Sequence, residues 1–316
     1  MIEPDYLIAK LRFRHLRLLT EIQSRGSLRA AAQALSLTQP ALSKALTEIE
    51  SAFGFALFTR TTRGLTPTGQ GEVVLSGATR LLAELTHLRA EAMTAHRFTA
   101  KIRIGAPPFV AQTYLPDVIA KLVRQEAPVR VHLQEDRVPA LISALKRGEL
   151  DALITTFPLQ MLEPDADAFR YINLFEVQFA VVADADHPLV GSRNVDWACL
   201  SREQWVMPAQ GSMGRKLIEE CFTHAGVPVP LPVIESTSPT TSLQFVAAGL
   251  GIGIVPDVTL IHHSALATGS VRQLHVVPEP HSSVVALIFR DGPINPRVAL
   301  LKEALALDTR ACRTQV

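Results

Sequence analysis

Residues 27–53 read SLRAAAQALSLTQPALSKALTEIESAF, and the spacing of apolar residues in this stretch predicts two consecutive helices. The spacing breaks once, at residues 36–38. Thr38 suits the N-cap of the second helix, and Pro40 falls in its first turn, where the missing N–H costs no intrahelical bond. The second helix has one apolar face, formed by Leu42, Leu46, Ile49 and Phe53. The stretch therefore predicts a helix-turn-helix.

The opposite face of the second helix carries side chains that suit contacts in the major groove of DNA, namely Gln39, Pro40, Ala41, Ser43, Lys44 and Thr47. Lys44 is equally suited to a phosphate. Residues 56–68 then predict a hairpin that carries Arg60, Thr62 and Arg63 near its tip, which suits a wing on the DNA backbone or in the minor groove. The alternative is a small helical packing unit with a solvated polar face.

The distribution of charge favours DNA binding over that alternative. The whole chain of 316 residues has a net charge of only +1. Residues 1–67, however, hold nine basic and five acidic side chains, whereas residues 101–316 hold nineteen and twenty-two. Positive charge concentrated beside a helix-turn-helix suits a polyanionic partner.

Residues 68–98 contain no proline and predict one long helix. Apolar residues recur in it at alternating intervals of four and three, at Val74, Ala78, Leu81, Leu85, Leu88, Ala92 and Ala95. This heptad spacing predicts a coiled-coil seam between two copies of the chain, and two paired heads would favour an inverted-repeat DNA site. The alternative is a helix that packs on its own domain.

From residue 101 onward, short β-branched runs alternate with amphipathic helical patterns, which is typical of parallel α/β architecture. The predicted strands are Lys101–Ala106, Val129–Glu135, Ala152–Thr155, Gln178–Ala183, Trp205–Met207, Val233–Ser236, Ile252–Val255 and Val284–Phe289. The predicted helices between them are Tyr114–Gln125, Val138–Arg147, Met213–Ala225 and Thr241–Ala248.

The N-terminal motifs resemble the winged helix-turn-helix of LysR-type transcriptional regulators, at FRHL (13–16), GSLRAAA (26–32), LTQPALS (37–43), LFTR (57–60) and LTPTG (65–69). The length and the α/β pattern of the remainder resemble that family too. The resemblance implies a promoter-binding regulator, assembled as a dimer of dimers, whose C-terminal part resembles a periplasmic binding protein and senses a small molecule. The candidate partners are promoter DNA, a small-molecule effector, further copies of the chain and RNA polymerase.

The predicted fold is an α+β multidomain protein. It comprises a winged helix-turn-helix over residues 1–67, a linker helix over 68–98 and a two-lobed α/β sensor over 99–316. We expect one lobe at about 101–177 plus 278–316 and the other at about 178–277.

Two such lobes place a ligand in the cleft outside the carboxyl ends of their strands. The candidate effector-binding residues follow a predicted strand or open the next helix, and they are Pro107, Phe109, Asp136, Thr156, Gln210, Ser212, Thr237 and Ser238. Because helix N-termini present N–H groups to anions, the pattern favours a small organic acid. For each polar residue, a role as an ordinary cap or turn is the alternative. Many family members carry Ser or Thr where this chain has Pro107 and Pro108.

Other classes of function find less support. The run of glycines at residues 249–253 follows a helix and enters a strand, the reverse of a dinucleotide loop. We expect no metal and no cofactor, since His262 and His263 have no partner at ligand spacing. The three cysteines lack the close pair that redox sensing needs. No set of catalytic groups converges, and a solute-binding protein, the remaining alternative, should begin with a secretory signal. We expect a cytoplasmic protein without a membrane span.

Overall fold

The computed structural model describes residues 4–61, 64–94, 100–124, 129–156, 169–262, 269–291 and 295–312. The chain divides into two compact units, one of residues 1–97 with 146–149 and one of residues 98–145 with 150–316. The elements of the N-terminal segment are α1 (Pro4–Lys10), α2 (Phe13–Arg25), α3 (Leu28–Ala34), α4 (Gln39–Phe53), β1 (Phe58–Thr61), β2 (Gly64–Pro67) and α5 (Gly69–Thr94).

The first unit is a winged helix-turn-helix, as the sequence predicts. Ser27 and Thr38 cap α3 and α4, because their hydroxyl oxygens accept hydrogen bonds from the N–H groups of Ala30 and Ala41 at 3.2 and 3.4 Å. The strands β1 and β2 pair antiparallel into the wing. The helices and the wing enclose one core, which includes Leu19, Ile22, Ala31, Leu42, Leu46, Ile49, Leu57 and Leu75.

The long helix α5 packs partly on the core of its own unit and partly exposes apolar side chains to solvent. Leu75 is fully buried in the core of the first unit, and Val74 packs against that core. In contrast, Leu81, Leu85 and Leu88 are 55%, 43% and 60% exposed. The predicted seam is therefore only partly exposed. Its first positions pack on the core of the first unit, as in the alternative interpretation, whereas its middle positions form an exposed apolar face. Ala95 lies outside the described residues.

The second unit contains two lobes. Its elements are β3 (Ala100–Ala106), α6 (Pro108–Thr113), α7 (Leu115–Val123), β4 (Val129–Glu135), α8 (Val138–Arg147), β5 (Ala152–Thr156), β6 (Phe169–Val177), β7 (Phe179–Asp184), β8 (Val195–Asp196), α9 (Trp197–Leu200), β9 (Trp205–Pro208), α10 (Met213–His224), β10 (Ile234–Ser236), α11 (Pro239–Ala247), β11 (Ile252–Pro256), α12 (Asp257–His262), β12 (Val271–Gln273), β13 (Val276–Val277), β14 (Ser283–Arg290) and α13 (Pro296–Cys312). The first lobe is built on the sheet β4-β3-β5-β14-β6, and the second on the sheet β10-β9-β11-β7-β12.

Both sheets are mixed, which corrects the prediction of a parallel architecture. Neighbouring strands linked through helices are parallel, as in β3 with β4 and β5, or β9 with β10 and β11. The strand β14 is antiparallel to β5 and β6, and β7 is antiparallel to β11 and β12. The reason is the crossover: β6 carries the chain toward the second lobe, and β14 brings it back in the opposite direction. The sequence prediction omitted β6.

A buried ion pair joins two strands of the first lobe. The Asp151 carboxylate accepts hydrogen bonds from the backbone N–H and Nε of Arg103 at 2.9 and 3.0 Å, and from its Nη2 at 2.6 Å. Arg297 Nη1 lies 3.5 Å from the same carboxylate. Burial alone would raise the pKa of Asp151, but the bonds and charge of Arg103 outweigh burial and hold that pKa below its ordinary value. The pair fixes the start of β5 against β3.

Candidate functional site

The polar face of α4 is open to solvent. Gln39, Pro40, Ala41, Lys44 and Thr47 are exposed and Ser43 is half-buried, whereas the opposite face of the helix is buried. Thr47 donates its hydroxyl hydrogen to the Ser43 carbonyl at 3.1 Å, so its methyl group is the part left to contact a partner. The caps place these residues at the N-terminal half of the helix, which is the end that enters a major groove in proteins of this motif.

The wing presents Arg60 on an exposed strand position. The start of β1 is held against α4, because the Glu50 carboxylate accepts hydrogen bonds from the N–H groups of Leu57 and Phe58 at 2.7 and 3.2 Å. Thr62 and Arg63, the other two residues assigned to the wing from sequence, lie outside the described residues. Arg60 thus has the position and the charge that a phosphate contact needs.

A cavity of about 110 Å³ lies where the two lobes face each other. Six of the predicted effector-binding residues line it, namely Pro107, Phe109, Asp136, Thr156, Ser212 and Thr237. The other two predicted residues do not line the cavity. Gln210 is exposed, and Ser238 caps α11. The volume of the cavity is below the roughly 300 to 1,000 Å³ of sites for drug-sized molecules, which favours a small ligand.

Most hydroxyl groups on the second-lobe wall already have partners in the backbone. The Ser212 oxygen accepts a hydrogen bond from the Arg215 N–H at 3.2 Å. The hydroxyls of Ser236 and Ser242 each donate to the Ser238 carbonyl at 3.1 Å. The cap and turn interpretation therefore applies to these serines.

Thr156 on the first-lobe wall differs from the serines. Its side chain is fully buried at the end of β5, and its hydroxyl has no hydrogen-bond partner among the described residues. A buried hydroxyl without a partner is costly, so its presence in a cavity wall points to a ligand or a water as the missing partner.

Several lining residues were not assigned from the sequence. Phe179, Met213 and Gly214 all line the cavity. Phe179 begins the first strand of the second lobe, and the sequence offered no signal that this end of a strand would face the ligand. Met213 and Gly214 form the first turn of α10, so the capping role of Ser212 could have identified them.

One hydrogen bond spans the two lobes beside the cavity. The hydroxyl of Thr240 on α11 donates to the Gln112 side-chain oxygen on α6 at 2.6 Å. The bond links α6 to α11, whose first residues, Pro108 and Pro239, line the cavity.

Other chemistry is poorly supported in the part of the chain that the structure describes. Among those residues no group of three or more His, Cys, Asp or Glu side chains could hold a metal ion. Burial, together with the charge of Glu220, raises the pKa of Cys221 to about 11, which opposes formation of a reactive thiolate. Within the described helices, none has the length and apolarity that crossing a membrane requires.

Comparisons with known proteins agree along the whole chain. A family model described as LysR substrate binding domain matches residues 95–308, and one described as bacterial regulatory helix-turn-helix protein, lysR family, matches residues 13–72. The regulator GbpR of Azospirillum brasilense is 28% identical over 316 residues, covering 98% of this chain and 90% of the relative. GalR of Pseudomonas putida is 28% identical over 318 residues, covering 99% and 75%. A solved full-length OxyR variant from Pseudomonas aeruginosa superposes with a TM-score of 0.62 at 25% identity, covering 94% of this chain and 95% of that one.

Proposed function

Because the chain belongs to the LysR family of transcriptional regulators, we propose that α4 reads a promoter sequence and that a small organic acid in the cavity between the lobes controls the outcome. The exposed polar face of α4, held by a capped and buried opposite face, is the observation that carries the DNA-reading role. The alternative of a solute-binding protein leaves the first unit without a purpose.

In this proposal the two parts of the DNA surface have different tasks. Gln39, Ala41, Ser43 and Thr47 contact base edges, Pro40 packs beside them, and Lys44 contacts a base or a phosphate. Arg60 contacts phosphate, and Thr62 and Arg63 are assigned to the same wing. Base contacts specify the sequence, whereas phosphate contacts add affinity for any DNA.

We further propose that the exposed face of α5 pairs two copies of the chain. Leu81, Leu85 and Leu88 form a row at heptad spacing that a second copy would cover. A dimer would hold two heads for an inverted-repeat site, and dimers would associate in pairs, as the family resemblance implies. A ligand that binds one arrangement of the lobes better than another would shift the population of assemblies, and so the contact with promoter DNA and with RNA polymerase.

The test of the DNA-reading role is a binding-site selection from random DNA with the full-length protein, followed by salt titrations on selected and unselected sites. Gln39→Ala should lose roughly tenfold to hundredfold in affinity on the selected site and alter the selected sequence. Arg60→Ala should weaken selected and unselected DNA alike and reduce the salt slope by about 1. Ser51→Ala, farther along the exposed side of α4, is the matched control and should bind normally. Uniform loss in Gln39→Ala would refute the assignment.

A further inference from the structure

Four of the described helices have a first residue that lines the cavity, and three of these helices carry proline in the first turn. Pro108 is the first residue of α6, Pro139 the second of α8 and Pro239 the first of α11, and all three line the cavity. Proline has no backbone N–H, so each of these helix ends has lost one of the donors that would otherwise face a ligand. Backbone recognition of an anion is therefore weakened on three sides.

The fourth helix, α10, keeps its donors. The Ser212 hydroxyl oxygen accepts the Arg215 N–H, and the Ser212 carbonyl accepts the Lys216 N–H at 3.1 Å. The two N–H groups that precede them belong to Met213 and Gly214, which both line the cavity. The first N–H groups of a helix have no intrahelical acceptor and lie at the positive end of its dipole. This end of α10 is thus the place where the wall suits an anion best.

The opposite wall supplies an independent indication of a ligand. Thr156 is fully buried, lines the cavity, and has no hydrogen-bond partner for its hydroxyl among the described residues. Thr155 has an equally buried hydroxyl that also lacks a partner among them, but it is absent from the cavity wall. Successive residues of a strand point to opposite faces of the sheet, which explains the difference.

Most of the remaining lining surface is apolar. Phe109, Phe179 and Ile254 contribute hydrocarbon surface, as do the prolines. The charged residues of the lining are Asp136 and Arg137, which are exposed, adjacent and opposite in sign. A second carboxylate, or the many hydroxyls of a sugar, would lie against hydrocarbon without enough partners, and burying them there is unfavourable.

We propose that the effector is a monocarboxylate with a compact apolar or aromatic body. Its carboxylate accepts hydrogen bonds from the N–H groups of Met213 and Gly214, its body packs between Phe109, Phe179 and the prolines, and Thr156 hydrogen-bonds it from the first lobe. The inference rests on the proposed regulatory function and deepens it by naming the ligand class.

The first test measures binding by thermal shift and calorimetry with the full-length protein. The probes are butanoate, benzoate and phenylacetate, their neutral amides, the dicarboxylates succinate and terephthalate, and galactose. At least one monocarboxylate should bind at concentrations up to about 10 mM, more tightly than its amide and than any dicarboxylate or galactose. Preference for a dicarboxylate, an amide or galactose, or the binding of none of the monocarboxylates, would overturn the proposal. DNA binding without probes is measured in parallel, so failure here is distinguishable from failure of the regulatory function.

The second test removes single hydrogen-bonding groups from the cavity wall by substitution. Met213→Pro deletes one donor N–H at a helix position that tolerates proline, after a residue whose backbone is already extended at φ −77 and ψ 157. It should weaken the best monocarboxylate roughly tenfold to hundredfold, whereas the matched control Met213→Ala, which keeps the N–H, should retain most of the affinity.

Thr156→Val distinguishes a ligand contact from a structural role, because only a ligand contact predicts a loss of affinity without a loss of stability. Because the hydroxyl has no described partner in the free protein, its removal should leave the unfolding midpoint unchanged or higher, while affinity for the monocarboxylate falls severalfold to about tenfold. The matched control Thr155→Val should leave affinity unchanged. Equal affinity in Thr156→Val and Thr155→Val, or in Met213→Pro and Met213→Ala, would contradict the assigned contacts.

Discussion

Removing the buried carboxylate of Asp151 should destabilise the first lobe strongly. Asp151 accepts three hydrogen bonds from Arg103, and the side chains of Asp151 and Arg103 are 0% and 3% exposed. Asp151→Ala would leave the Arg103 guanidinium buried without that carboxylate, a change that costs about 3 to 5 kcal/mol. With an m value of about 2.5 kcal/mol/M, the urea midpoint of the second unit should fall by roughly 1 to 2 M.

The assay is urea unfolding followed by circular dichroism, with tryptophan fluorescence as a second probe. The two tryptophans of the chain, Trp197 and Trp205, lie in the same buried cluster as Ile102 and Ile154 of the first lobe, so fluorescence should report the same loss of stability as circular dichroism. The matched control is Asp291→Ala, which removes a pair with Arg170 whose side chains are 42% and 65% exposed, and should cost less than about 1 kcal/mol. Similar losses in the two variants would refute the reasoning.

The same substitution has a pH signature. The folded protein holds the pKa of Asp151 below its ordinary value, so the carboxylate contributes stability that is fully present above the unfolded pKa. That contribution is lost as pH falls through the folded pKa. The difference in unfolding free energy between wild type and Asp151→Ala should therefore narrow in acid, and a constant difference from neutral pH to pH of about 2 would contradict the linkage.

Two further predictions concern assembly and thiol chemistry. The double variant Leu81→Asp with Leu85→Asp should sediment as a monomer in sedimentation velocity, because like charges would be buried in the seam. The control Thr86→Asp, on another face of α5, should not change the oligomeric state. Unchanged sedimentation of the double variant would reject the seam. Since burial and a neighbouring carboxylate raise the pKa of Cys221 to about 11, iodoacetamide at pH of about 8 should label half-buried Cys199 before Cys221 in the folded protein, as read by mass spectrometry, and the reverse order would contradict the assigned environment.

The helices of the first unit could be predicted because their signals are local. Thr38 as a cap, Pro40 in the first turn and the single apolar face of α4 all lie within a few residues of one another, and the structure confirms each. The wing follows from the same kind of signal.

In the second unit, local sequence signals did not predict every element or contact. Strand β6 lies at a sheet edge and exposes Arg170, Tyr171, Ile172 and Asn173 consecutively, so it lacks the alternation by which a half-buried strand is identified. The pairing of Arg103 with Asp151 joins residues 48 positions apart and depends on strand register.

The cavity wall was partly predictable, since topology alone indicates which strand ends meet. The absence of backbone N–H donors at three helix ends around one cavity could not be predicted, because it becomes visible only when the structure places those ends side by side. Whether the assigned residues contact DNA and effector stays a prediction.

The return of β14 to the first lobe has a consequence for biosynthesis. The described strands of the second lobe's sheet lie between residues 179 and 273, whereas the first lobe's sheet needs β14, at residues 283–290, between β5 and β6. During translation, the strands of the second lobe's sheet are therefore synthesised before β14, the strand that lies between β5 and β6. A nascent chain stalled before β14 emerges would carry a head and a second lobe able to fold, joined through an incomplete first lobe. Termination before β14 would thus abolish the ligand cavity, even though its lining residues, which run from Pro107 to Pro256, had already been translated.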